Sequence, residues 1–191
     1  MTDFLTILVT TVLVNNLLLI QLLGVSSLFA YSTRWQQALE LALFTFVVLT
    51  LSASINGLLV YFLLAPLGLM MAQLVVYVLI SGGLATLLSQ VLKRHLPLSY
   101  RRNGLAFLLA GGNSAVIGVA LLQGEALRPP LEQLAYSVAA GAAFAGLLLA
   151  FAALRQRLTL IDIPTPFRGP AVELLSLGIL AMGLQAMAGL F

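Results

Sequence analysis

Apolar residues fill the chain in five long stretches, and polar residues punctuate them. Residues 4–33, 41–92, 103–124, 133–154 and 174–191 carry no Asp, Glu, Lys or Arg. A helix rises 1.5 Å per residue, so crossing a bilayer core of roughly 30 Å takes about 20 residues. The run from 41 to 92 is more than twice that length. It predicts two helices joined by a tight turn at Pro66-Leu67-Gly68, where proline ends a helix and glycine permits the reversal. The pattern therefore predicts six transmembrane helices, near 4–25, 38–60, 70–91, 104–123, 134–154 and 171–190.

Composition sharpens this picture by exclusion. The 191 residues are 61% hydrophobic and 8% charged, whereas a soluble domain carries about 25% charged residues. So few charges cannot coat a water-facing globule, which excludes a soluble enzyme, a nucleic-acid reader and a disordered tail. The solvent for this chain is the lipid bilayer, and no nucleic-acid partner is expected. The net charge of +3 does not alter that, because the bases fall in clusters between apolar runs. Arg34 lies in the first predicted connection, Lys93, Arg94, Arg101 and Arg102 in the third, and Arg155, Arg157 and Arg168 in the fifth. The second connection has no charge, and the fourth sets Arg128 against Glu125 and Glu132. The positive-inside rule makes the basic connections cytoplasmic and puts both termini on the other side. Trp35, Tyr31 and Tyr100 sit at the predicted inner interface, where amphipathic rings anchor well. The segment from Met1 to Thr33 holds Asp3 and no base, so it lacks the positive start of a signal peptide and is expected to stay as the first span.

Three spans per half force two related halves into opposite orientations, an inverted repeat with halves at about 1–92 and 103–191. The first helix of each half carries residues that lipid disfavours. These are Asn15, Asn16, Gln21, Gly24, Ser26 and Ser27 in one, and Gly111, Gly112, Asn113, Ser114 and Gly118 in the other. Such segments mark broken helices around a central site, or else close packing and hydrogen bonding between ordinary helices. The residues alone leave both open.

The inventory of chemical groups is short. No cysteine is present, so the chain owns no disulfide, thiolate nucleophile or iron–sulfur ligand. With a single histidine, His95, it builds no histidine-rich metal site, and His95 reads as a solvated residue of the basic connection. Glu40 and Glu173 are expected near helix ends, within reach of headgroups and water. No acid or base lies deep in a span, so side-chain proton pumping by this chain is not expected. Asn, Ser and freed carbonyls remain available to line a cation path. The five methionines read as packing or lipid-facing residues. In Asp162-Ile163-Pro164-Thr165-Pro166-Phe167-Arg168-Gly169-Pro170, the alternating prolines hold the chain extended, and Pro170 suits the first turn of the last helix.

Three motifs carry a resemblance. Val12-Leu13-Val14-Asn15-Asn16 precedes Leu22-Leu23-Gly24. Asn113-Ser114-Ala115-Val116-Ile117-Gly118-Val119-Ala120-Leu121-Leu122 follows, and the Asp162–Gly169 segment completes the set. In their order, and nearly end to end, the chain resembles one integral-membrane family. That family contains the A-type component of the Rnf electron-transport complex and the E-type component of the sodium-translocating NADH:quinone reductase. The ending Val119-Ala120-Leu121-Leu122 is more similar to the A-type branch. The resemblance implies an all-α membrane protein of two inverted three-helix repeats with helices one and four broken. It implies a subunit of a complex that couples electron transfer to ion movement across the inner membrane. The implied partners are a paralogous E-type membrane protein and components of the B, C, D and G types, some carrying flavins. It further implies a [2Fe–2S] cluster shared with the paralogue, each chain giving two cysteines.

The chain departs from that pattern where the chemistry would sit. Ser26 and Ser114 occupy the two cysteine positions. A hard, weakly acidic hydroxyl is a poor replacement for a soft thiolate. No cofactor is therefore expected from this chain alone, no residue is assigned a catalytic role, and no metal ligand is identified. Asn15, Asn16, Gly24, Gly111, Gly112, Asn113 and Gly118 are the candidates for helix breaks and subunit contacts. The rival readings are an independent small inverted-repeat transporter, and a scaffold subunit that has lost electron transfer.

Topology is testable with reporter fusions after Trp35, Leu98, Arg128 and Leu160. Periplasmic signal is expected at Arg128 alone. The opposite pattern, with cytoplasmic signal at Arg128 and periplasmic signal at Leu98, would invert the orientation.

Overall fold

The structure, a computed structural model, describes residues 23–158, 160 and 169–188. Every regular element among the described residues is helical. In chain order these are α1 (Val25–Tyr31), α2 (Trp35–Leu59), α3 (Gln73–His95), α4 (Pro97–Leu109), α5 (Ser114–Ala126), α6 (Pro130–Leu158) and α7 (Pro170–Ala188). Among the described residues four helical stretches are long and apolar enough to cross a membrane: Trp35–Leu64, Met70–His95, Pro97–Ala126 and Pro130–Leu158. The apolar helix Pro170–Gly183 is shorter. Most of the first predicted span, with Asn15 and Asn16, lies outside the described residues, as does the segment from Asp162 to Arg168.

The turn between α2 and α3 has a clear local cause. Pro66 has no N–H to donate, and α2 widens ahead of it into a π-helical turn, Val60–Leu64. Gly68 then takes a φ of +68°, open to glycine without strain, and the short 3₁₀ turn Met70–Ala72 leads into α3.

Charge-free runs predicted helices that are too short at the basic end. α3 continues through Lys93, Arg94 and His95, and α4 starts at Pro97, so the expected connection shrinks to Leu96. Lysine and arginine keep their stems on the helix while the charge reaches the headgroups, so a first base does not end a span. His95 is consequently the last residue of a helix, not part of an extended loop.

Packing centres on α2 and α6. Small residues line their contact: Ala135, Ala139, Ala140 and Ala143 of α6 are buried, as are Ala38, Ala42, Ser52 and Ala53 of α2. At Gly141 an added Cβ would lie 2.6 Å from Thr50 Oγ1 and 3.3 Å from the Phe46 carbonyl oxygen, so the helices approach almost backbone to backbone. Such close approach replaces the hydrophobic drive that helices lose in lipid. By contrast α3 is largely uncovered, with Leu74, Val75, Leu79, Leu87 and Val91 exposed.

Two ionic clamps close the basic end. The Arg155 guanidinium on α6 donates to the Phe29 carbonyl and to Ser32 Oγ, both at 2.8 Å, and pairs with Glu173 of α7 at 2.6 Å. Three elements are thus tied by one side chain. Glu40 of α2 pairs with Arg102 of α4 and accepts hydrogen bonds from Ser99 at 3.1 Å and Asn103 at 2.8 Å. Neither acid therefore takes the solvated role expected from its place near a helix end, and Glu173 is 8% exposed. Removing one partner of a buried pair strands the other charge, at a cost of about 3 kcal/mol. Arg155→Leu should accordingly lower the thermal unfolding midpoint of the detergent-purified protein by several degrees. An unchanged midpoint would show that the clamp contributes nothing.

Candidate functional site

The helical stretch Pro97–Ala126 stops being an α-helix in its middle. After α4 ends at Leu109 the chain tightens into a 3₁₀ turn, Ala110–Gly112, and Asn113 is extended at φ −66°, ψ 130°. Helix α5 then restarts at Ser114. A helix start leaves N–H groups without intrahelical partners, a serious cost where no water reaches. Asn113 meets part of it as an N-cap, its side-chain Oδ1 accepting from the Ala115 N–H at 3.1 Å.

A second helix start lies against the first. Gly24 has φ +78°, a left-handed conformation that glycine adopts freely, and α1 begins at the next residue. Its carbonyl accepts from Ser27 Oγ at 2.6 Å and its N–H donates to Ser114 Oγ at 2.9 Å. Asn113 Nδ2 donates to Ser27 Oγ at 3.3 Å. Gly24, Ser27, Asn113 and Ser114 thus form one hydrogen-bonded junction between residues roughly ninety positions apart in sequence.

The glycines flagged by sequence are not equivalent here. At Gly24 an added Cβ would lie 2.6 Å from the Phe144 ring, and at Gly111 it would lie 2.5 Å from the Ser81 carbonyl oxygen and 2.9 Å from Gly82 Cα. At Gly118 the obstacle is only the tip of the Leu23 side chain. At Gly112 none of the described residues lies within 4 Å of that position. Gly112, Ser114 and Ser26 are all exposed at the junction, while Gly111 is buried against α3. Sequence reading treated Gly111 and Gly112 as a pair, because spacing along a 3₁₀ turn does not reveal which glycine meets a neighbour.

The donor set at the junction does not suit an iron–sulfur cluster. Its exposed oxygen atoms are serine hydroxyls, and Ser114 Oγ already receives the Gly24 N–H. To ligate iron both hydroxyls would have to ionise in a low-dielectric setting, which desolvation opposes. Among the described residues no three His, Cys, Asp or Glu side chains gather as a metal site.

Sequence reading missed a second polar cluster, at the opposite end of α2, α5 and α6 from the clamps. Gln123 and Gln133 are 0% and 1% exposed. Gln123 Nε2 donates to the Gln133 carbonyl at 2.7 Å and to Ser137 Oγ at 2.9 Å, and Gln133 Nε2 donates to the Arg128 carbonyl at 2.7 Å. Two glutamines inside charge-free runs, Gln123 at the end of a predicted span and Gln133 just before the next, were the available signal.

Known proteins match along the full length. The family model described as Rnf-Nqr subunit, membrane protein, matches residues 4–191. A protein of Alkalilimnicola ehrlichii, named as the A subunit of an ion-translocating oxidoreductase complex, is 38% identical over 190 residues, covering 100% of this chain and 98% of its own. Proteins of the same name from Hahella chejuensis and Thioalkalivibrio sulfidiphilus are 35% and 34% identical, covering 100% of this chain and 98% and 99% of theirs.

The geometry separates two neighbouring glycines experimentally. Gly111→Ala should cost about 1–3 kcal/mol by overpacking against the α3 backbone, seen as a lower melting temperature. Gly112→Ala should leave the melting temperature unchanged. Equal effects at both positions would contradict this packing.

Proposed function

The chain belongs to the Rnf-Nqr family of membrane subunits, and from that premise we propose that it is the A-type membrane component of an ion-translocating oxidoreductase complex. The names of its relatives support that role directly. In this reading the chain crosses a bacterial inner membrane six times, as two inverted three-helix repeats with both termini periplasmic. The segregation of bases toward one side supports the orientation.

The observation that carries the reading is the exposed junction. Ser26, Gly112 and Ser114 stay uncovered where two helix starts meet. Hydroxyls and irregular backbone at membrane depth are tolerated only against protein or a water-filled cavity. A paralogous E-type membrane protein, presenting its own junction, fits that requirement. Asn15 and Asn16 belong to the same proposed contact by their place in the first span.

The chain supplies no thiolate in this role, so redox chemistry resides on other members of the complex with their own flavins and iron–sulfur groups. Its own work is to seat the partner and to close the membrane around broken helices. That makes it non-catalytic by itself.

Co-purification tests the proposal. A tagged chain expressed with the neighbouring reading frames of its own genome should bring down a paralogous membrane protein and a flavoprotein. Gly112→Leu should reduce that recovery at least several-fold while the variant itself accumulates normally, because none of the described residues lies within 4 Å of the new Cβ. A wild-type chain recovered alone would overturn its placement in a complex. Full recovery with Gly112→Leu would move the contact away from the junction.

A further inference from the structure

A groove of about 280 Å³ lies between α2, α3 and α4 at the basic end. Phe44 and Phe107 line its inside, with their rings 4.6 Å apart and both side chains buried. Leu43 and Val47 of α2 and Val91 of α3 line it too, and these are exposed to the surrounding lipid. Glu40, Leu96 and Ser99 line the part nearest the bases. Glu40 and Val47 stand seven residues apart on α2, so the groove reaches about 10 Å along that helix. One leaflet of the hydrocarbon core is about 15 Å deep, so the groove belongs to a single leaflet. A helix, about 10 Å across with its side chains, is too thick to enter it. A single hydrocarbon chain fits.

The polar end of the groove selects what that chain carries. The Glu40 carboxylate is engaged by Arg102, Ser99 and Asn103, so its charge is compensated and the Ser99 hydroxyl proton is spent. A neutral headgroup finds no free donor there. Charge is available instead. Lys93 and Arg94, in the last turn of α3, are exposed, and among the described residues neither forms an ion pair. Lys93 Nζ lies 5.6 Å from the centre of the Tyr100 ring, which draws it across to α4. That helix starts at Pro97 with no acid in its first turn, so its free N–H groups add positive potential at the same place. Two surplus bases and a helix start beside an apolar slot complement a phosphate carried on a hydrocarbon chain. We propose that the groove holds one acyl chain of an anionic glycerophospholipid, with the headgroup phosphate at the start of α4 beside Lys93 and Arg94.

Lipid titration followed by native mass spectrometry tests the site on the full-length chain, purified in detergent and stripped of lipid. The probes are dioleoylphosphatidylglycerol and, with the same acyl chains, dioleoylphosphatidylcholine. The wild type should take up one phosphatidylglycerol per chain, at least about fivefold more tightly than phosphatidylcholine. Val47→Trp puts an indole into the groove and should weaken that binding at least several-fold. Lys93→Gln combined with Arg94→Gln should abolish the preference and leave phosphatidylcholine binding unchanged. All three positions are exposed or half-exposed, and an unchanged melting temperature checks that each variant keeps its packing. If Val47→Trp fails to fold, the two headgroups and the double variant still decide. Glycerol phosphate at matching concentration should not displace the bound lipid. Equal affinity of the wild type for both lipids would overturn the proposal, as would unimpaired binding to folded Val47→Trp or displacement by glycerol phosphate. No partner chain enters these measurements, so their failure is distinct from failure of the proposed function.

Discussion

A peptide group within hydrocarbon has no water to replace a missing partner, so each interruption of a helix there must be repaired by the protein itself. The junction of α1 and α5 is that repair. Asn113 caps α5, and Ser114 lends its hydroxyl to the N–H of Gly24. Ser27 is held between Gly24 and Asn113. Because the repair joins Gly24 and Ser27 to Asn113 and Ser114, it also fixes how α1 meets α5. At the basic end Arg155 ties α1 and α7 to α6 and Glu40 ties α2 to α4, while close packing of α2 on α6 fills the middle.

Much of this was legible in sequence, and the limits have physical causes. Long charge-free runs, Pro66 with Gly68, and the bases between runs report on local properties of lipid and backbone, and they locate the helical stretches. Helix ends were misjudged because Lys93, Arg94 and His95 remain helical while their charges reach outward. The ion pairs of Glu40 with Arg102 and Arg155 with Glu173 are tertiary facts, invisible to any window along the chain. The tightness of Gly111 and the openness of Gly112 depend on where α3 passes. Gln123 and Gln133 went unremarked because a polar residue in an apolar run shows its meaning only when its neighbours are known.

The serines at 26 and 114 connect structure to function. A thiolate at 114 would be both an acceptor for Gly24 and a metal ligand; a serine hydroxyl performs the first task well and the second poorly. What holds the break together is hydrogen bonding and glycine geometry, neither of which needs a bound cluster. Under the proposed function the junction seats a membrane partner and supplies no thiolate to it.

That separation of fold from ligation is the central claim, and one spectroscopic comparison tests it. Low-temperature electron paramagnetic resonance is recorded on the reduced complex containing either the wild-type chain or the double variant Ser26→Ala, Ser114→Ala, with iron quantified in each. The account predicts the same spectrum and the same iron content for both. A [2Fe–2S] signal present in the wild-type membrane core, and lost together with its iron in the double variant, would contradict it.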